Sequence, residues 1–471
     1  MTDNSLESMY PEAFARDCIT YVEITNWYRD KEDNGAQGAP GLLFLLDDSR
    51  EEWNMRMMLV GSGAVGECIV KMLKERDAKR EWFEYCLLCD LDEARAMEVK
   101  EHMEDERFDF AKVNATDKEG MKKLIEAYHI DFVMDAASPF CSNYIFDAAY
   151  ESGSDYANMG TWSVPKENPT YGPGLENSYL VVMTKYNFDA DEKWKKQGNT
   201  ALICLGIDPG VVNVFARYLC EYEFDEVEEL HVRDGGNIEV EGDEEEIVFG
   251  FNVWTVLDEV MNPNVEYDLE KGGFIVEKAF AGKEVFCMPE VGNNTFVKVE
   301  HEETVTMPRY LASYGLKKCT FKISLDEKLI QALKVLDQLH LNTIKKIRVG
   351  DVEVVPRDVI AACAPAPKNI RDEMKGKMVV GVLAVGKKDG HDKKVMMYQS
   401  FSNVEAMERF SMQAVVAQTG FGAALALELY AKGIYRKPGV NSLEAFNPLP
   451  YLALMEETGF SYMIKDYTGE V

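Results

Sequence analysis

Positive charge is what this chain is short of. Its 471 residues carry 51 Lys and Arg against 82 Asp and Glu, a formal net charge of −31. Nucleic acid and anionic membrane surfaces both need a basic footprint, so neither is expected as a partner. Histidine is scarce, with six in all. His102, His129, His231, His340 and His391 have no companions at metal-ligand spacing, so no metal is expected. No apolar run approaches the roughly eighteen residues of a membrane span. GLLFLL at 41–46 is short and runs into Asp47 and Asp48. The first forty residues carry acids throughout and no continuous apolar segment, which reads as no secretion signal. No P-loop and no Ser–His–Asp pattern is visible. Ten cysteines are scattered without the density of a disulfide scaffold, as in a reducing cytoplasm. Cys86 and Cys89 form a C-x-x-C, but YCLLCD has the pattern of a buried strand. Residues three apart on a strand point to opposite faces and cannot chelate together.

What is present points to a globular protein of two domains. Hydrophobic residues are 46% and aromatics 11%. The acid excess is spread out, with one dense run, EGDEEE at 241–246, expected as a solvated loop. Global charge speaks to solubility more than to any site. Residues 1–54 carry turn and charge clusters (RDKEDNGAQGAPG) and read as an accessory segment, or as a leader upstream of a true start at Met55 or Met57. Residues 55–225 read as a dinucleotide-binding domain, 226–405 as an α+β domain, and 406–471 as a helical segment returning to the first domain.

From Met57 onward, short apolar strands alternate with helical spacings: MMLVG, AVGECIVKMLKER, YCLLCD, LDEARAMEVKEHM, FDFAKVNA, DKEGMKKLIEAY, DFVMDAA, SNYIFDAAYES and SDYAN. This alternation implies an α/β fold with a Rossmann-type, doubly wound parallel sheet. Pro, Gly and Asn interrupt it over 163–198, and NTALICLG (199–206) resumes it. Beyond 228 the texture changes. VEELHVRDGG, GFIVEKAF, KEVFCM, TFVKVE and the pair KMVVGVLAVGKKDG/VMMYQSF read as strands of a second, α+β domain. Residues 406–433 read as one long apolar helix, in which Gly420 and Gly422 mark a break or a close helix contact.

Gly61-Ser62-Gly63-Ala64-Val65-Gly66 is a G-x-G-x-x-G between a strand and a helix, and Asp90 ends the next strand 24 residues beyond Gly66. Gly61 permits the tight turn, Gly63 admits the pyrophosphate, and Gly66 lets helix and strand pack closely. The helix N-terminus offers free N–H groups to the phosphates. A carboxylate at Asp90 can accept the ribose hydroxyls and repels a 2′-phosphate, which favours NAD over NADP. Leu91 adjoins it, and Arg95 lies a helical turn further on. Ala136, Ala137 and Ser138 end the fourth strand and are placed beside the cofactor, with Asn114, Ala115 and Thr116 at its adenosine edge.

A second motif follows NTALICLG. Asp208-Pro209-Gly210 makes a sharp turn at the carboxyl end of a sheet strand, where open parallel sheets bind ligands. Asn213 lies on the helix after it. The alternative for Asp208 is a helix cap.

With these residues in view, the chain resembles the saccharopine dehydrogenase family. The resemblance runs from about residue 55 to the end. It rests on GSGAVG, SDYANMG (154–160), GIDPGVVNVFARYL, HEETVTMPRYL (301–311) and KPGVNSLEAFNPLPYLALMEETGF (437–460). The DPG turn and closing segment look most like carboxynorspermidine and saccharopine enzymes. CDLD looks more like lysine 6-dehydrogenase, which uses NAD. The resemblance implies hydride transfer between a nicotinamide and a carbon bearing nitrogen, on an amino acid, opine-like or carboxy-polyamine substrate. It implies NAD, with NADP possible, and a homodimer built on the second domain. The alternatives are a lysine 6-dehydrogenase or a non-catalytic NAD sensor. His301 and Glu302, with Asp208, are the candidate catalytic groups, because an imidazole titrates near neutrality and a carboxylate can hold an ammonium. The bland alternative for 301–303 is a solvated charged loop. Phe140, Tyr156, Asn158, Gly160, Gly210, Asn213 and Trp254 are candidate substrate contacts. Trp254 can stack over an ammonium or belong to the core.

Overall fold

The computed structural model of the protein describes residues 54–240, 247, 249, 253–364 and 374–467. The expectations for residues 1–53 and for the acidic run at 241–246 lie outside the described residues.

The alternating pattern builds β1 (Met55–Val60), α1 (Ala64–Arg76), β2 (Phe83–Asp90), α2 (Glu93–Met103), β3 (Phe108–Lys112), α3 (Lys118–Ala127), β4 (Phe132–Asp135), α4 (Ser142–Ser152) and β5 (Asp155–Asn158). After an irregular insertion come β6 (Thr200–Leu202) and α5 (Val211–Tyr218). These strands form one sheet in the order β3-β2-β1-β4-β5-β6, with every pairing parallel. The strand order reverses between β1 and β4, the switch point at which doubly wound sheets open a crevice. Cys86 and Cys89 sit in different hydrophobic clusters, on the two faces of β2.

The second sheet is mixed. Its path begins with β7 (Glu226–Gly236), the helix α6 (Val253–Met261), β8 (Asn264–Asp268), β9 (Gly273–Glu277), β10 (Glu284–Met288) and β11 (Gly292–Lys298). It continues through α7 (Glu303–Leu311), β12 (Lys318–Ser324), β13 (Lys377–Lys388) and β14 (His391–Ser402). β7 lies parallel to β12 and antiparallel to β13. Alternate residues of β7 divide the layers: Leu230 and Val232 join the large core shared with the first sheet, while His231 and Arg233 face the other way into hydrogen bonds with Thr320.

The insertion ties the two sheets together. Gly172–Pro173 pairs with Ile275 and Val276 as the edge strand of the second sheet, and Tyr179 donates to the Pro263 carbonyl.

The predicted long helix at 406–433 is two helices, α8 (Asn403–Phe410) and α9 (Ala414–Ala431). The break falls at Ser411, whose φ is 57°, and not at the glycines. Gly420 and Gly422 mark close contacts instead. A Cβ on Gly420 would stand 2.5 Å from Cys68 Sγ of α1, and one on Gly422 would overlap the Gly206 carbonyl. α9 also corrects the expectation that nothing here could span a membrane. It is 18 residues long and apolar enough by composition, but 89% of it is buried inside the fold. Past it, β15 (Gly439–Asn441) joins the first sheet beside β6, α10 (Leu449–Thr458) follows, and β16 (Tyr462–Asp466) joins the second sheet beside β14.

Gly422→Ala tests the α9 approach. Alanine gains about 1 kcal/mol of helix propensity. Overlap with a fixed backbone carbonyl costs more, about 1–3 kcal/mol in a packed interior. A lower denaturant midpoint is expected; a midpoint at or above that of the parent would show that the contact is slack.

Candidate active site

The crevice at the switch point opens into a cavity of about 1550 Å³ that runs from the β1–α1 turn to the second sheet. At the first end the local sequence explains the shape. Gly61 has φ +103°, and any Cβ there would overlap the Ala136 backbone. Gly66 likewise admits no Cβ against the Gly61 carbonyl. Gly63 differs: a Cβ there would meet nothing within 4 Å, so its bare backbone faces open space. Gly63 is also the N-cap of α1 and no side chain caps the helix. The first N–H groups of α1 are therefore free for an anion, which is what a dinucleotide pyrophosphate needs.

Asp90 is fixed by two backbone donors, Ser62 N–H to Oδ2 at 2.9 Å and Asp92 N–H to Oδ1 at 2.9 Å. Arg95 is spent on the Ser62 carbonyl, Glu67 and Glu98. Leu91, Asn114, Ala115, Thr116, Ala136, Ala137 and Ser138 line the same end, with Ala64, Val65 and, deeper, Pro209. Ser62 and Gly66 are predicted cofactor residues that stand behind the wall; Ser62 acts through its hold on Asp90.

At the other end, His301, Glu302 and Asp208 all line the cavity, as do Phe140 and Gly160. His301, Glu302 and Glu303 are 5%, 9% and 0% exposed, which overturns the solvated-loop alternative. The His301 ring lies parallel on Phe321 of β12, centroids 3.6 Å apart. Its Nδ1 is 2.8 Å from Glu303 Oε2, and its Nε2 is 3.9 Å from Glu259 Oε1. A carboxylate only accepts, so Nδ1 carries a proton and Nε2 is left for chemistry. Burial alone would lower the imidazole pKa, but Glu303, Glu259 and Asp208 together hold it well above its ordinary value. Burial, and then the neighbouring Asp234 carboxyl, raises Asp208 well above the usual carboxyl range. Burial pushes Glu259 up to about 8 and Glu300 to about 7. Glu302 Oε1 accepts from the Thr161 N–H at 2.6 Å and from its hydroxyl at 3.0 Å, which anchors it to the insertion.

His301, Glu302 and Glu303 also bring ligand atoms within 4.8 Å of one another, a spacing at which a metal can bind. The sequence reading weighed only the other histidines and passed over this grouping. Of these atoms, Glu302 Oε1 is engaged by Thr161 and Glu303 Oε2 by His301 Nδ1, while Glu303 Oε1 is buried without a hydrogen-bond partner.

Five predicted substrate residues stand away from the lining. Tyr156 and Asn158 lie behind β4, where the Tyr156 hydroxyl donates to Asp135 Oδ2 at 2.9 Å and Asn158 Nδ2 donates to Ser142 Oγ at 3.2 Å. They position Asp135, which does line the cavity and which burial raises to about 7. Gly210 has φ +142° and serves the turn, a Cβ there overlapping the Gly206 carbonyl. Asn213 accepts from the Gly210 N–H at 2.7 Å and donates to Glu444 at 2.6 Å. It does the helix-end work assigned in the alternative to Asp208, whose Oδ2 is buried without a partner. Trp254 lies under the Arg357 guanidinium, 5.6 Å from its ring centroid.

The sequence reading missed the acids facing His301. Thr255, Asp258, Glu259 and Asn262 recur at helical spacing and place one face of α6 on the cavity, while Leu257 and Val260 bury the other. The signal was there: an acid pair inside the otherwise apolar VWTVLDEVM. Asp234, in the short VRDGG at the end of β7, carried none.

A glycine turn with open helix N–H groups at one end and a buried imidazole among carboxyls at the other fit one class: the chain is an NAD(P)-dependent oxidoreductase. Residues 57–202 match the model of the saccharopine dehydrogenase NADP-binding domain, and residues 206–460 match that of the saccharopine dehydrogenase C-terminal domain. The chain belongs to the saccharopine dehydrogenase family. It is 24% identical over 419 residues to the carboxyaminopropylagmatine dehydrogenase of Synechocystis sp., covering 86% of this chain and 96% of that one. It is 26% identical over 355 residues to the carboxynorspermidine synthase of Vibrio cholerae, covering 75% and 82%. The fold is shared with saccharopine dehydrogenase (L-Glu forming) from Saccharomyces cerevisiae, with TM-score 0.63, 12% identity and coverage of 88% and 100%. It is shared too with the homospermidine synthase of Legionella pneumophila in complex with NAD, with TM-score 0.62, 14% identity and coverage of 90% and 95%.

A cationic amine binds this acid cluster best when the cluster is ionised. An alkylammonium stays charged below about pH 10, while Glu300 and Glu259 ionise at about 7 and 8. Affinity for a diamine, read by calorimetry with NAD present, should therefore rise from about pH 6 to about pH 8.5. Glu259→Gln should flatten the upper part of that rise. An affinity that is flat or falling across the window contradicts the assignment.

Proposed function

We propose that this enzyme interconverts an amine and an imine on a polyamine-like substrate, with carboxynorspermidine-type and saccharopine-type compounds the nearest chemistry. The observation that carries the reading is the acid-lined far end of the cavity around a single imidazole, complementary to a substrate bearing several ammonium groups. The two curated relatives, both named for carboxylated polyamine conjugates, support it.

Bound nicotinamide supplies or accepts the hydride. The protein's own residues handle the proton and the geometry. His301 is held charged by its carboxylate neighbours and is set to protonate an imine nitrogen from Nε2; in the reverse direction the same atom takes that proton back. Asp208 and Asp234 can return a proton to the site after turnover. Glu302, pinned by Thr161, fixes the wall opposite Gly160. Burial of the whole group keeps water from the imine and strengthens each charge interaction.

NAD is the preferred cofactor on this reading, because Asp90 sits where a 2′-phosphate would lie and the neighbouring Arg95 is already neutralised. The scattered cysteines suit a reducing cytoplasm, and the second sheet is the expected contact of a homodimer.

The first test is a panel read at the nicotinamide absorbance: lysine or saccharopine with NAD or NADP, and diaminopropane plus aspartate semialdehyde with NADH or NADPH. Turnover is expected in the polyamine direction. His301→Ala should lower that turnover about 100-fold or more while NAD affinity stays unchanged; unaltered turnover removes His301 from the chemistry. Asp90→Ser should shift preference toward NADP. Unchanged NAD selectivity would mean that other residues read the ribose.

A further inference from the structure

Glu300 stands apart from the His301 group. It lines the cavity, is 8% exposed, and its Oε1 is buried without a hydrogen-bond partner. Its Oε2 accepts from Asn262 Nδ2 at 2.8 Å, and its backbone N–H donates to the Glu259 carbonyl at 3.0 Å, so the side chain is held in place. The Ser163 and Tyr179 hydroxyls act on it as further hydrogen-bonding neighbours, although the Tyr179 proton is given to the Pro263 carbonyl. These neighbours are neutral. The groups that act on the Asp208–Asp234 pair and on Glu259 include His301, whereas the charged neighbour that acts most on Glu300 is another acid, Asp258. Asp258 is itself committed to Arg357, whose guanidinium also reaches the Asn342 carbonyl and is buried. A buried carboxylate whose strongest charged neighbour is another acid is costly, and one held in the wall of a ligand cavity has a use for a cation that arrives with the ligand.

We infer, resting on the amine-substrate reading above, that Glu300, oriented by Asn262, is a second ammonium subsite: it binds the amino group remote from the reacting carbon, and so selects substrates by the position of their distal amine. His301 and its carboxylates serve the reacting nitrogen; Glu300 serves the far end. The subsite makes no demand on the reaction itself, so its loss falls on binding of the longer, fully charged substrate.

The test uses two probes against the full chain saturated with NAD: norspermidine, and N-butyl-1,3-diaminopropane, which has the same length but a methyl group in place of one terminal amine. The wild-type protein should bind norspermidine about tenfold or more tightly than the butyl analogue, the range expected of a hydrogen bond to a buried charge. Glu300→Gln, which keeps the shape and the Asn262 contact, should bring the two affinities within about twofold by weakening norspermidine alone. Glu300→Asp, which withdraws the carboxylate, should fall between; thermal melts of both variants check that they fold. Norspermidine preference that survives Glu300→Gln, equal weakening of both probes, or no preference in the wild type overturns the subsite while leaving the amine reading intact. Failure of the wild type to bind either probe overturns the amine reading and the subsite with it.

Discussion

One imidazole faces more buried carboxyls than it can neutralise, and much of the structure answers to that imbalance. His301 pairs with Glu303 and leans toward Glu259, while Asp208 and Asp234 share the same dry pocket. Such a cluster would be ruinous in a closed core, where uncompensated charge costs several kcal/mol per ion. It persists here because it faces a cavity, because protonation relieves part of the repulsion, and because a cationic ligand can supply what is missing. An ammonium bound among these carboxyls would relieve that repulsion.

The frame around that cluster is correspondingly rigid and apolar. Phe321 supplies a flat surface for the imidazole, α6 turns only one face to the cavity, and α9 is pressed against α1 and the Gly206 turn through its glycines. Those approaches hold the 206–210 turn, and with it Asp208, against the end of the first sheet. The two ends of the cavity also use charge differently. At the cofactor end, Asp90 and Arg95 are satisfied by backbone and by neighbouring acids, leaving the α1 N–H groups as the open donors. At the far end, acceptors are left open. One cavity thus has open donors at one end, suited to a phosphate, and open acceptors at the other, suited to an ammonium.

The cofactor end was legible in the sequence because a dinucleotide turn is local: strand, glycines, helix and acid lie within one βαβ unit. The 55–160 alternation placed its strands and helices to within a few residues for the same reason. Local pattern failed where contacts between distant segments decide. The break at Ser411 lies in a stretch whose periodicity reads as continuous helix, and Gly420 and Gly422, which look like breakers, are contact points with α1 and the Gly206 turn. At the site, Tyr156 and Asn158 end a strand beside the crevice, as expected of ligand residues, but strand alternation and the Asp135 network turn their polar ends behind the wall. Asp234, Glu259 and Glu300 come from a strand end, a helix face and a loop, and only the closure of the second sheet brings them to His301.

The insertion at 163–198 explains how that closure is held. By position it belongs to the first sheet, yet Gly172–Pro173 extends the second, and Tyr179 bonds the turn after α6. Thr161, just before it, holds Glu302, while the Thr184 N–H within it donates to the Thr161 hydroxyl at 2.8 Å. Residues 161–184 therefore close into a loop at Thr161, and the middle of that loop is stitched to the opposite sheet. Glu302 is thereby linked, through Thr161, to a segment that is itself paired with the second sheet.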